Sequence, residues 1–166
     1  MLSALSPIIT SVAGLLAMGS AAFAACPIEL AVYGEAQSGS EIDFTPTGTS
    51  ATVTNTLRMI LDNNVVLNGI VMWNDGVSRP NGALMYKCPE GDVTGEELAA
   101  CTPWHGVIYT SDDKGSIGLL PAEGVDAPKT LILPDLGPSL RQSSAYGGSG
   151  FSKVPWDVFA LKGCQE

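Results

Sequence analysis

Beyond residue 27 the chain is patterned mostly with a period of two. Residues 28–33 set Ile28, Leu30 and Val32 against Glu29, Ala31 and Tyr33, the period of a half-buried strand. Residues 41–45 make a short extended piece stopped by Pro46, and residues 51–56 place Val53 among threonines, as strands do. Residues 57–61 either continue that strand or make a helical turn. Asp62-Asn63-Asn64 then marks a turn before the β-branched run 65–73, so this region is predicted to be a hairpin. Further strands are predicted over 83–87, 104–110, 116–120, 129–133 and 156–162, with a second hairpin turning at Ser111-Asp112-Asp113-Lys114-Gly115.

Helical signals are few. Thr94 stands three residues before Glu97, the spacing of a capping box, and predicts a short helix through Leu98 and Ala100; residues 138–142 suit one helical turn. Seven to eight short strands with one or two short helices predict a mainly β fold, an antiparallel sandwich or barrel, because parallel α/β architecture needs long crossover helices.

The first 24 residues follow a different pattern. An uncharged apolar run, residues 8–17, leads through small residues to Ala22-Phe23-Ala24, an A-x-A site, and predicts a signal peptide over 1–24 cleaved before Ala25. No Lys or Arg precedes the run, which departs from the usual signal. An uncleaved anchor and a lipoprotein on Cys26 are the alternatives; glycines and serines weaken the first, and an odd number of remaining cysteines argues against the second. Residues 25–166 are then one domain with no permanent membrane span, exported to the periplasm or the extracellular medium. Gly147 to Gly150 marks a joint before the last strand.

Export changes how the four cysteines read. Cys26, Cys88, Cys101 and Cys164 contain no C-x-x-C, so neither a redox pair nor a zinc ribbon is indicated, and two structural disulfides are expected. Of three connectivities, Cys88 with Cys101 and Cys26 with Cys164 is favoured, one closing a local loop and the other joining the ends of the domain. The formal net charge of −9 and singly scattered basic residues exclude nucleic acid as a partner and disfavour anionic membrane surfaces.

Candidate chemistry is sparse. No metal or cofactor is indicated: the single histidine, His105, has no H-x-H or H-x-x-x-H neighbour, and no calcium loop is present. Trp73, Asn74, Asp75, Ser78, Arg79 and Asn81 form the densest group able to recognise a ligand, offering an indole, amides, a carboxylate, a hydroxyl and a guanidinium. The same residues also satisfy a long loop, with Asp75-Gly76 and Asn81-Gly82 as turn dipeptides. The pattern predicts an exported binding or interaction domain of the cell envelope, enzyme-inhibitor-like in kind, taking a protein or small polar ligand. A hydrolase using His105 with Asp75 or Asp157, and a structural envelope protein without a discrete site, are the alternatives.

Overall fold

The structure, a computed structural model, describes residues 25–49, 52–73 and 79–165. The predicted signal peptide lies outside these residues. The chain is mainly antiparallel β, with ten strands where seven or eight are expected: β1 (Ala31–Gly34), β2 (Glu41–Thr45), β3 (Val53–Ile60), β4 (Val66–Trp73), β5 (Pro80–Met85), β6 (Trp104–Val107), β7 (Tyr109–Ser111), β8 (Ile117–Leu119), β9 (Thr130–Ile132) and β10 (Val158–Cys164). Two short helices, α1 (Gly95–Ala100) and α2 (Leu136–Arg141), complete it.

All strands join one sheet in the order β6-β5-β4-β3-β2-β1-β10-β9-β7-β8. The first five strands form an up-and-down meander, and β1 pairs with β10. The predicted strand 104–110 divides at Ile108, which explains part of the higher count. Its first half pairs with β5 and its second with β8 and β9, so one run of chain belongs to both ends of the sheet. The result is a nearly closed barrel, which leaves few unpaired edges.

The inner face follows the two-residue period. Tyr33, Phe44, Met59, Leu67, Leu84, Trp104, Ile108, Leu131 and Phe159 are all buried in one core. Tyr33 and Phe44 meet edge to face with centroids 5.9 Å apart, a preferred aromatic geometry. These large residues fill the interior of the barrel.

Three local expectations are corrected. Residues 28–33 are not one strand: Pro27 starts a 3-10 turn over Ile28–Leu30, and the strand begins at Ala31. Ala31 and Tyr33 then face the core and Val32 does not; burial of the Tyr33 ring, whose hydroxyl donates to Pro128 O at 2.8 Å, sets that register. Asn81-Gly82 is no turn but the second and third residues of β5, with Pro80 at the strand's first position, where its missing N–H is tolerated. Gly147 to Gly150 closes a hydrogen-bonded turn rather than a free joint: Gly150 N–H bonds Gly147 O, and Phe151 N–H bonds Ala145 O. A Cβ on Gly150 would lie 1.9 Å from Ala145 O, so only glycine fits.

Both expected disulfides form, Cys26–Cys164 and Cys88–Cys101. The capping box of α1 is complete, with Thr94 Oγ1 accepting from Glu97 N–H and the Glu97 carboxylate accepting from Thr94 N–H. Strand direction alternates around the barrel and so divides the molecule into two poles. Cys26–Cys164, the end of β4 and the start of β5 share one pole; α1, α2, Cys88–Cys101 and the start of β10 share the other.

Candidate functional site

The end of β4 and the start of β5 lie at the pole of Cys26–Cys164. Of the six residues expected to bind there, Asn74, Asp75 and Ser78 lie outside the described residues. Trp73 ends β4 with its indole 46% exposed, and its cross-strand partner is Pro80, next to Arg79. Arg79 Nη1 donates to the Tyr109 hydroxyl at 2.9 Å, a partner on β7 that sequence proximity does not reveal. Asn81 Nδ2 donates to Arg79 O at 3.4 Å. Trp73, Arg79, Asn81 and Tyr109 are therefore brought together at one rim, with Asn81 held by the strand rather than by the loop.

The opposite pole carries grooves. α2 is too short to persist alone. Its N-terminus is capped from a distance: Asp157, just before β10, accepts from the N–H groups of Asp135, Leu136 and Gly137 at 3.0, 3.0 and 3.4 Å. Asp135 itself occupies the left-handed region and gives no side-chain cap. Leu136 and Leu140 anchor the helix in the core. A Cβ on Gly137 would fall 2.9 Å from Pro155 O, so the glycine lets α2 approach residues 154–156 closely. Between them runs a groove of about 410 Å³ lined by Gln37, Gly137, Pro138, Arg141, Gln142, Val154, Pro155 and Trp156.

Trp156 projects into solvent, 62% exposed, from a pinned backbone. Pro155 before it is buried, and Asp157 after it holds α2. The Glu35 carboxylate, itself buried, accepts from Gln37 N–H at 2.9 Å and from Ser38 N–H and Oγ at 2.7 and 2.6 Å. Desolvation pushes the Glu35 carboxyl up, but these bonds and one from the Trp156 backbone outweigh it, so Glu35 titrates below its usual range.

A second groove of about 350 Å³ flanks the other side of α2, lined by Thr102, His105, Ser139, Ser143 and Ser144 among others. The two grooves meet at Gln142, which lines both. His105 is on the outer face of β6, exposed, opposite Ala83 of β5. Its imidazole makes no hydrogen bond or ion pair with any described residue. Asp157, proposed above as its acid, is engaged at α2 instead.

Other carboxylates serve turns and caps. Asp62 binds Ser152 N–H and Oγ and Lys153 N–H, which lowers its pKa, chiefly through the Ser152 hydroxyl. Glu97 is lowered by the Thr94 backbone and side chain in the capping box. Asp112 is lowered first by Ser116 N–H in the β7–β8 turn. Among the described residues, no three His, Cys, Asp or Glu side chains are grouped to hold a metal ion, and no helix is long and apolar enough to cross a membrane.

The Trp156 groove escapes a reading by local pattern. Pro155-Trp156-Asp157 resembles the lead-in to a strand, and nothing in the spacing places Arg141 beside it. The one usable signal is an Asp directly after a Pro–Trp pair, which suits a capping role. No family model, no curated protein and no solved structure matches this chain.

Proposed function

We propose that this chain is an exported binding domain of the cell envelope that captures a protein or small polar ligand on the surface of a rigid barrel. The observation that carries this is the division of labour between interior and poles. Large apolar side chains fill the barrel, while two exposed indoles, Trp73 and Trp156, stand at its rims beside guanidinium and amide groups. Aromatic and arginine side chains on a rigid frame are the usual anchors of an interface. Two disulfides suit an oxidising compartment, periplasm or medium.

A hydrolase built on His105 finds no support in its surroundings, since the imidazole lacks an orienting carboxylate among the described residues. The binding role is tested by capturing envelope extract on the purified oxidised domain. A partner retained by the wild type but lost on Arg79→Ala or on Trp156→Ala, with the circular dichroism unchanged, is the expected result. Retention of nothing, or retention indifferent to both Arg79→Ala and Trp156→Ala, would refute it.

A further inference from the structure

We propose that the helix pole carries a carbohydrate site for a short oligosaccharide bearing a carboxylate, running from Trp156 across α2 to His105. This rests on the binding-domain reading above and adds the ligand class and the place. Three features of the site select that ligand.

Trp156 offers a flat apolar face between buried Pro155 and Asp157, which is tied to the start of α2, so little freedom remains to be lost on stacking against a sugar ring. Arg141, in the last turn of α2, lines the same groove and makes no hydrogen bond or ion pair with any described residue. The chain as a whole carries −9, and two carboxylates beside residues of this groove, Glu35 and Asp157, are committed to backbone N–H groups. A guanidinium left over in those surroundings is complementary to a carboxylate, which it grips with two parallel hydrogen bonds.

The groups beyond Arg141 discriminate between a saccharide and a peptide. Gln37 and Gln142 both donate and accept, and past Gln142 the second groove presents hydroxyls and the His105 imidazole. Thr102 and Ser143 donate to Leu98 O and Leu140 O at 2.7 Å each, so their oxygens face a ligand as acceptors. Mixed donors and acceptors of this kind match sugar hydroxyls, which are both at once. An extended peptide would instead need a free strand edge with alternate side-chain pockets or a row of apolar pockets, whereas the second groove, although it reaches the edge strand β6 at Trp104 and His105, is lined mostly by hydroxyl, amide and imidazole groups. Both volumes, about 410 and 350 Å³, lie in the range of small-ligand sites.

The test titrates the purified oxidised domain with trigalacturonate and hyaluronan tetrasaccharide, each beside its methyl ester, by calorimetry and by the Trp156 indole N–H resonance. At least one acid should bind and move that resonance, with its ester roughly tenfold weaker. Arg141→Gln should abolish the difference between acid and ester. Trp156→Ala should weaken both by about tenfold, and Ile117→Ala, on the exposed strand β8, should change neither. No binding of either acid at millimolar concentration, equal affinity for acid and ester, or binding indifferent to Trp156→Ala and Arg141→Gln would each overturn the proposal. Should these saccharides fail while Arg79-dependent capture from envelope extract persists, the site falls and the binding role stands.

Discussion

Glu35 and Asp43 put a buried carboxylate to opposite uses. Glu35 is saturated with N–H and O–H donors and titrates below 4.5, so its contribution is present above that pH and is lost as pH falls through the folded value. Glu35→Gln is expected to cost about 1–2 kcal/mol near neutral pH and to flatten the acid limb of stability, measured by urea unfolding as a function of pH. Asp43, on the outer face of β2, has one oxygen without a hydrogen-bond partner and only a 3.4 Å contact with Arg58 on the other. Desolvation first, then the charge of Glu41, raises its pKa above 3.8 despite Arg58. A raised carboxyl stabilises the fold at low pH and loses that contribution as pH rises through the folded value. Asp43→Asn should therefore be at least as stable as wild type near neutral pH; a loss above ~1 kcal/mol would contradict this. Tyr33→Phe removes the hydrogen bond to Pro128 and should cost about 1 kcal/mol in the same assay.

The two helices show why some elements are legible in sequence and others are not. α1 announces itself because Thr94 and Glu97 satisfy each other within one turn. α2 contains Pro138, has no local cap, and depends on Asp157 at a separation of more than 20 residues. Asp157→Ala is expected to destabilise the domain by about 1–2 kcal/mol and to speed exchange of the Leu136 and Gly137 amides ahead of the rest. The hairpin of β3 and β4 follows from Asp62-Asn63-Asn64, where Asn63 and Asn64 take the left-handed conformation that asparagine tolerates. The start of β1 and the split at Ile108 do not follow from alternation. They depend on which strands lie alongside, and alternation reports a period without saying which phase faces inward.

For the whole molecule, the fold class and both disulfides are readable from period, turn residues and cysteine spacing, whereas the site is not. Arg79 meets Tyr109, and Arg141 shares a groove with Trp156, only because the sheet nearly closes on itself and α2 folds back over its end. Closure also sets the weight of the staples. Cys26–Cys164 spans 138 residues and Cys88–Cys101 spans 13. The chain-entropy relation assigns them about 5 and 3 kcal/mol respectively. Replacing the first pair with serine should therefore lower the unfolding midpoint more than replacing the second, as measured by thermal melts of each double variant without reductant.

The bond between Cys26 and Cys164 brings the first and last strands together at the end of the barrel remote from α2. Anything fastened to the tail of the domain, whether a biotin, a bead or a neighbouring protein, consequently sits beneath it like the stem of a lamp. Trp156 and Arg141 are then held farthest from the attachment and face outward. Tail-immobilised protein should keep full saccharide capacity, while Trp73 and Arg79, beside the stem, become the crowded ones.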